Sequence, residues 1–447
     1  METLITNAVI VNEGRQWKGS VKIRQGRIAG IYEGAAPTEA TTGCTIIDAK
    51  GKYLLPGVID SHVHFREPGL THKGDIYSES RAAVAGGVTS YMEMPNTAPQ
   101  TTTQERLAEK FALAEKKSFA NYSFYMGATN ENLDEILKTD FSKICGVKLF
   151  MGASTGNMLV NNRDALENIF ASTPGLIAVH CEDESVISKN TEQMRAIYGE
   201  NVPFSCHLII RSEEACYKST AQAVELAHKH QARLHVLHLS TAKELSLFSD
   251  YTPLAQKRIT AEACVHHLVF SDRDYEKKGA FIKWNPAIKT IADRDRLFEA
   301  LIDGTIDVVS TDHAPHTLEE KNNTYFRTPS GGPSIQHSLV TMLEFFHARR
   351  ISIEQIVEKM CHHPALLFRI KERGFIRTNY WADLVLVDAN HTWKVAPENI
   401  LYKCGWSPFE GQTFQSAVTQ CWINGYLVYD DGHFKEVSCG MPLEFRV

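Results

Sequence analysis

The stretch Val58-Ile59-Asp60-Ser61-His62-Val63-His64 begins as a short apolar run and ends on two histidines. Apolar runs of this length that are rich in β-branched residues are typical of buried strands. Eight such strands are predicted, at residues 58–62, 90–94, 122–126, 146–150, 177–180, 234–238, 259–263 and 307–311. Helical patterns lie between several of them, at residues 103–117, 213–230 and 293–302. This alternation predicts an α/β fold, a (β/α)8 TIM barrel with parallel strands.

The two ends of the chain have a different pattern, which is typical of β structure. Strand-like runs flank Gln25-Gly26 near one end and Asn424-Gly425 near the other. Asn-Gly between apolar runs is a strong hairpin signal, because the favoured two-residue turn needs positive φ at both positions. We therefore expect a small β-sandwich domain built from both termini. The predicted limits are 1–53 for its N-terminal part, 54–370 for the barrel and 371–447 for its C-terminal part.

Bulk composition argues against several classes of protein. The chain has 447 residues and a formal net charge of −6, so it lacks the basic excess of nucleic-acid-binding proteins. No apolar run approaches the roughly 18 residues that a membrane span needs, and the N-terminus has no basic segment before an apolar core. The 10 cysteines form no C-x-x-C pair, which indicates reduced thiols. We expect a cytoplasmic protein with no nucleic-acid or membrane partner.

Potential metal ligands stand at the ends of several predicted strands. His62 and His64 are two residues apart, and a period of two places both imidazoles on one face of an extended chain. His180 and His238 each end an apolar run, and Asp312 follows a buried one. Active-site groups of TIM barrels project from the carboxyl ends of the strands. These side chains are therefore expected to lie close together at the carboxyl end of the barrel.

Lys148 lies inside the apolar run Gly146-Val147-Lys148-Leu149-Phe150. A buried ammonium group is unfavourable without a partner. A desolvated amine of lowered pKa can react with CO2 to form a carbamate, which would be an anionic bridge between two cations. The ordinary interpretation is a lysine that extends to the rim of the barrel.

The other candidates also have ordinary interpretations when each is taken alone. His62 and His64 would be surface histidines, and Asp312 would cap a helix. His235 lies an odd number of residues from His238, so it should face the other way in a strand and is interpreted as structural. Four histidines, one lysine and one aspartate on five strands of one barrel nevertheless favour a shared metal site.

Longer motifs identify a family resemblance. Residues 60–69, Asp-Ser-His-Val-His-Phe-Arg-Glu-Pro-Gly, closely resemble the signature of the cyclic amidohydrolases. The runs Glu93-Met94-Pro95-Asn96-Thr97 and Thr311-Asp312-His313-Ala314-Pro315-His316 continue the resemblance, which covers essentially the whole chain. Arg66 together with Asn96 narrows the resemblance to the dihydroorotase branch. The run Gly146-Val147-Lys148-Leu149 resembles the members of that family whose metals are bridged by lysine.

The resemblance implies a role for each matching residue. One divalent metal ion, expected to be zinc, would be held by His62, His64 and Asp312, and a second by His180 and His238. Lys148, as its carboxylated form, would bridge the two ions. The substrate carboxylate would be bound by Arg66, Asn96 and His316, and Asn285 would make a further substrate contact.

The resemblance also implies a reaction on a small-molecule substrate. N-carbamoyl-L-aspartate would be cyclised reversibly to L-dihydroorotate plus water in de novo pyrimidine biosynthesis. In the hydrolytic direction, a hydroxide activated by the two ions would attack the ring, and Asp312 would be the general acid and base. A homodimer is expected, because two-fold dimers are the commonest oligomers.

Three alternatives remain open at this point. A dihydropyrimidinase or hydantoinase would share the segment 146–151 but would not need Arg66, since its substrates carry no carboxylate. An allantoinase should lack Pro95-Asn96-Thr97, and a metal-free scaffold should lack some of the six ligands.

Two further features concern segments outside the predicted metal ligands. Val265 stands where relatives often have proline. Segment 317–333 is polar and glycine-rich and is either a mobile lid or an ordinary surface loop.

Overall fold

The structure is a computed structural model that describes residues 2–152, 158–249 and 252–447. Its strands in that part of the chain are β1 (Glu2–Asn12), β2 (Arg15–Arg24), β3 (Arg27–Glu33), β4 (Cys44–Asp48), β5 (Tyr53–Pro56), β6 (Val58–Val63), β7 (Val88–Glu93), β8 (Asn121–Gly127), β9 (Gly146–Phe150), β10 (Leu176–His180), β11 (Arg233–Val236), β12 (Ile259–Cys264), β13 (Val308–Ser310), β14 (Leu384–Asp388), β15 (Trp393–Lys394), β16 (Thr413–Phe414), β17 (Ala417–Ile423), β18 (Tyr426–Asp430) and β19 (His433–Phe434).

Helices connect most of the central strands. They are α1 (Thr38–Thr41), α2 (Ile76–Ala85), α3 (Gln104–Lys117), α4 (Leu133–Leu137), α5 (Arg163–Ser172), α6 (Glu184–Tyr198), α7 (His207–Ile210), α8 (Glu213–His230), α9 (Val265–Val269), α10 (Tyr275–Lys278), α11 (Ile291–Asp303), α12 (Leu318–Lys321), α13 (Ser338–His347), α14 (Ile353–Val357) and α15 (His363–Leu367). Several have side-chain caps of ordinary type, such as Ser212 at the start of α8 and Thr290 at the start of α11.

Strands β6 to β13 form one parallel sheet in sequence order, as the alternation of strands and helices predicts. The sheet closes where its first strand meets its last. Val63 of β6 bridges His313 beyond β13, and the His64 amide donates to the His313 carbonyl at 2.7 Å. The Thr311 hydroxyl also donates to the Asp60 carboxylate at 2.6 Å. The prediction of a TIM barrel is therefore confirmed.

Two barrel strands end earlier than predicted. β11 stops at Val236 and β13 stops at Ser310, although the sequence pattern continues to residues 238 and 311. The backbone of His238 has a φ of 42° and that of Asp312 has a φ of 45°. These left-handed conformations end the extended chain, and apolar periodicity does not report them.

A nine-stranded sheet from the two ends of the chain packs beside the barrel. Its side chains alternate between two cores, as the period of a strand requires. Leu55 and Val385 belong to the core shared with the barrel, whereas Leu54, Leu384 and Trp422 belong to a separate core within the sheet. Both faces are thus partly buried, and the sheet is attached to the barrel along β5 and β14.

The two predicted hairpins are present, and their turns touch each other. Gln25, Gly26, Asn424 and Gly425 all have positive φ, as two-residue turns of this type require. A Cβ added to Gly425 would lie 2.7 Å from the Gly26 Cα, so a side chain there does not fit. The contact joins the N-terminal and C-terminal parts of the sheet, as expected for a domain built from both termini.

The end of the chain leaves this sheet and crosses the barrel. The Tyr122 amide donates to the Met441 carbonyl at 3.0 Å, and the Phe445 amide donates to the Ser142 carbonyl at 2.9 Å. Leu443 and Phe445 are buried in a core that also contains the first residues of β10 and β13. The tail therefore covers the amino-terminal end of the barrel. The domain limits given above stay predictions.

Phe445→Ala should lower the free energy of unfolding by about 3–5 kcal/mol, because it removes a ring buried under the barrel. Denaturant unfolding measures this change. Val447→Ala is the matched control: Val447 is 86% exposed, so its truncation should change stability by less than about 0.5 kcal/mol. A Phe445→Ala protein as stable as the control would contradict the packing of the tail.

Candidate active site

Three residues at the carboxyl end of the barrel have a left-handed backbone. Arg66, His238 and Asp312 have φ values of 71°, 42° and 45°. Residues other than glycine adopt this region at a cost of about 1–3 kcal/mol, and such residues cluster at functional sites. Each of the three follows a barrel strand, and the left-handed turn directs its side chain to the barrel mouth.

One histidine pair faces a carboxylate. The Nε2 atoms of His62 and His64 lie 3.2 and 3.0 Å from the Oδ1 atom of Asp312, and all three side chains are buried. Burial lowers the pKa of His64 to about 4, so the ring is neutral near pH 7 and has a lone pair to offer. Burial alone would raise the pKa of Asp312, but the nearby imidazoles hold it well below its usual range. This group has the donors of a divalent metal site.

A second histidine pair lies beside the first. The Nδ1 atom of His180 lies 3.0 Å from the Nε2 atom of His238, and the His238 ring lies 5.2 Å from the His62 ring. Burial lowers the pKa of both His180 and His238. Two neutral imidazoles that direct nitrogen atoms at each other are arranged to share a cation.

Three of the ring nitrogens that face away from this centre lie against a side-chain oxygen. His62 Nδ1 lies 2.8 Å from Glu262, and His64 Nδ1 lies 2.7 Å from the Asn96 side-chain oxygen. His180 Nε2 lies 3.1 Å from Glu182. Contacts of this kind fix the tautomer and orientation of metal-binding histidines.

Glu262 and Glu182 are the functional residues that the sequence analysis missed. Glu262 lies within the buried strand β12, and Glu182 follows His180 by two residues. Burial opposes ionisation, but the imidazoles of His62 and His235 hold the pKa of Glu262 well below its usual range. A carboxylate inside an apolar strand, as at Thr260-Ala261-Glu262-Ala263, was the available signal. His235, which we interpreted as structural, contacts Glu262 at 3.5 Å.

Lys148 projects from β9 into the same cleft. Its Nζ atom lies 4.5 Å from the centre of the Phe150 ring, and within the described residues no carboxylate lies within 4.0 Å of it. Burial lowers the pKa of this ammonium to about 7. A sizeable fraction of the side chain is therefore a neutral amine near pH 7.

Arg66 brings a permanent positive charge to the cleft. Its Nε atom donates to the Pro315 carbonyl at 3.0 Å, and its Nη2 atom lies 3.1 Å from His316 Nε2. No carboxylate of the described chain lies within ion-pair distance of the guanidinium. His316 is itself completely buried and contacts Lys73 and Glu320.

These residues surround a narrow cleft at the mouth of the barrel. Nine of the ten predicted site residues line it: His62, His64, Arg66, Asn96, Lys148, His180, His238, Asn285 and Asp312. The tenth, His316, lies behind Arg66. The side-chain oxygen of Asn285 is buried without a hydrogen-bond partner among the described residues, which leaves it available to a ligand. The lining also includes Phe150, Trp284, Ala314, Ser330 and Gly331, which were not among the predicted site residues.

Segment 317–333 contributes Ser330 and Gly331 to the lining of the cleft and is held by hydrogen bonds at several points. Lys283 donates to the carbonyls of Tyr325 and Thr328, at 2.7 and 2.6 Å. Lys321 donates to the carbonyls of Pro329 and Gly331, at 3.0 and 2.8 Å. Whether the segment moves as a lid stays a prediction.

Comparison with known proteins places the chain in a family. The model of the amidohydrolase family matches residues 53–428. This chain belongs to the amidohydrolase family. Among curated proteins, this amidohydrolase is 35% identical to a dihydroorotase from Halobacterium salinarum, over 87% of its own length and 90% of that protein. It is 32% identical to a dihydroorotase from Pyrococcus abyssi, over 96% of each chain.

Solved structures give a second comparison. The amidohydrolase superposes on L-hydantoinase (dihydropyrimidinase) from Arthrobacter aurescens with a TM-score of 0.93 and 27% identity, over 99% of each chain. Amidohydrolases depend on metal ions, and the group of His62, His64 and Asp312 has the ligands for one. Across the described residues, no helix combines the length and apolar character that a membrane crossing requires.

Glu262→Gln should weaken metal binding by about 10–100-fold, because His62 loses the carboxylate that orients it. Competition with a chromophoric chelator measures the affinity. Glu244→Gln is the control, since Glu244 is also a buried carboxylate but its partners are Thr220, Thr241 and backbone amides. Equal metal affinity in the two variants would show that Glu262 does not support the site.

Proposed function

We propose that this amidohydrolase is a dihydroorotase that interconverts L-dihydroorotate and N-carbamoyl-L-aspartate. Proteins named dihydroorotase match it at 30–35% identity over most of both chains. The observation that carries the substrate choice is Arg66, a buried guanidinium at the cleft without a carboxylate partner in the described part of the chain. Burial of such a charge is unfavourable unless an anion pairs with it. Dihydroorotate carries one carboxylate on its ring and supplies that anion.

The orientation of the Arg66 guanidinium is fixed before a substrate carboxylate binds. Its contacts with Pro315 and His316 use Nε and Nη2, so the guanidinium plane is fixed by the walls of the cleft. A planar fork binds a carboxylate through two parallel hydrogen bonds, which a lysine ammonium does not reproduce. Asn96 also lines the cleft, and its oxygen accepts from His64. We propose that its amide end adds a donor to the substrate carboxylate.

The donor set fits two divalent cations, for which we propose zinc. His62, His64 and Asp312 would hold one ion, and His180 and His238 the other. Neutral imidazoles with a carboxylate are ordinary zinc ligands. When bound, the two cations would polarise the amide carbonyl of the ring and lower the pKa of the attacking water.

Lys148 would supply the anion shared by the two ions. Its neutral amine would attack CO2, form a C–N bond and lose a proton to solvent, which leaves a carbamate. Two supports for this proposal are the low pKa of the amine, about 7, and the lack of an acidic partner among the described residues. Conversion of the Lys148 side chain to a negatively charged carbamate would also offset the positive charge of the two metal ions.

Asp312 would move the proton. Its Oδ1 atom faces His62 and His64, and the low pKa keeps the carboxylate ionised at neutral pH. It would accept the proton of the attacking water and deliver it to the ring nitrogen that leaves. Cyclisation would run through the same positions in reverse.

A dihydropyrimidinase or hydantoinase is the second candidate. The structural likeness to L-hydantoinase, with a TM-score of 0.93, favours it. Phe150 and Trp284 also give the cleft apolar surface suited to an uncharged ring. We rank it second because an uncharged substrate would leave Arg66 without an anion. The homodimer and the cytoplasmic location expected from the sequence stay predictions.

Metal-replete protein should hydrolyse dihydroorotate at least about 10³-fold more efficiently than dihydrouracil, hydantoin or allantoin. A site built around a hydrogen-bonded group rejects analogues that lack the group, because its buried donors are then unpaired. The measurement is kcat/KM for each compound, and Arg66→Lys should lose most of the activity on dihydroorotate with unchanged metal content.

The matched control is Arg373→Lys. Arg373 is also a buried arginine, but its partners Asp383 and Asn424 lie in the terminal sheet, so the substrate preference should not change. Comparable kcat/KM on dihydrouracil and dihydroorotate would overturn the dihydroorotase proposal in favour of a dihydropyrimidinase.

A further inference from the structure

A second cluster of possible metal ligands lies where β12 ends and α9 begins. Cys264, His266 and His267 are all buried, and one ligand atom from each lies within 4.8 Å of the other two. None of the three lines the catalytic cleft. They are two and one residues apart in the chain, so a single tight turn brings them together.

The histidines of this cluster have unused ring nitrogens. Neither nitrogen of His266 makes a hydrogen bond of ordinary geometry within the described residues, and the same is true of Nδ1 in His267. A buried polar nitrogen without a partner destabilises the folded state. Buried polar atoms of folded proteins are paired with few exceptions, so three such nitrogens beside one thiol call for a partner other than the described residues.

Two of the remaining contacts are expected around a bound cation, while the Cys264 sulfur also lies 3.4 Å from the Ser310 hydroxyl. His267 Nε2 lies 3.1 Å from the Pro286 carbonyl, and metal-binding histidines commonly donate their other N–H to a backbone carbonyl. His266 stacks on Trp284 with the ring centres 4.3 Å apart, which covers its face and leaves its edge, where the nitrogens lie, accessible. Glu262 lies 3.7 Å from the Cys264 sulfur and adds a nearby negative charge.

We propose that Cys264, His266 and His267 bind a third, structural cation of the zinc type, separate from the catalytic ions. One thiolate and two imidazoles are ligands that zinc prefers. A tetrahedral zinc ion spaces such ligand atoms about 3.3–3.6 Å apart, so occupancy needs a contraction of roughly an ångström. The sulfur–metal bond would form as the thiol releases its proton to solvent.

The proposed ion has a definite structural consequence. His266 contacts Trp284 and His267 contacts Pro286, which flank Asn285 in the wall of the cleft. The cation would therefore stabilise this wall of the cleft from the side that faces away from the substrate. This inference does not depend on the dihydroorotase proposal, because it concerns a different set of ligands.

Cobalt substitution tests the proposal, since it reads the sulfur directly. The predicted catalytic ligands are nitrogen and oxygen atoms, so an intense thiolate-to-cobalt charge-transfer band in the near ultraviolet would report on Cys264. The cobalt-loaded wild-type chain should show this band. Cys264→Ser should lose it and bind one metal ion fewer per chain by elemental analysis, and His267→Gln should lose it as well.

Cys361→Ser is the matched control. Cys361 is an equally buried thiol that donates to the Pro56 carbonyl, outside the cluster, so this variant should keep the band and the metal count. Absence of the band from the wild-type chain would overturn the proposal, and that measurement needs no variant to fold. Persistence of the band in His267→Gln would also overturn it, because Cys264 would then bind with His62 and Glu262, the other group that contains this sulfur.

Discussion

The site depends on the burial of several basic nitrogen atoms around one carboxylate. His62, His64, His180 and His238 are brought together with Asp312 at the mouth of the barrel, where water does not reach most of their surface. Burial keeps the imidazoles of His64, His180 and His238 neutral. Neutral imidazoles have lone pairs to offer a cation, and burial at one place presents several of them together, so the fold and the capacity to bind metal are linked.

The barrel controls this burial through its strand ends. His62, Lys148 and His180 project from within strands β6, β9 and β10. His64, His238 and Asp312 follow strand ends, and His238 and Asp312 turn inward through left-handed backbone. The contacts of Glu262, Asn96 and Glu182 then hold the outer edges of three of the rings. Arg66, which is also left-handed, adds the charge that gives the cleft its preference for an anion.

Much of this arrangement was predictable from the sequence, for a physical reason. Strand periodicity marked the eight barrel strands, and polar residues in or just after them marked six of the residues that line the cleft. The other three, Arg66, Asn96 and Asn285, were implied by the family resemblance. Glu262 was missed because the local sequence does not distinguish a carboxylate that orients a metal-binding histidine from one that binds the metal itself. Contacts between residues far apart in the chain place His316 behind Arg66 and the C-terminal tail under the barrel. A local sequence pattern does not encode such contacts.

Anomalous diffraction from a crystal of zinc-loaded protein would locate the metal ions directly. We expect two strong peaks in the cleft, about 3.5–4 Å apart as in other two-metal sites. One peak should contact His62, His64 and Asp312, the other His180 and His238, with carbamate density on Lys148 between them. A cleft without a peak under these conditions, or one peak with unmodified Lys148, would contradict the account.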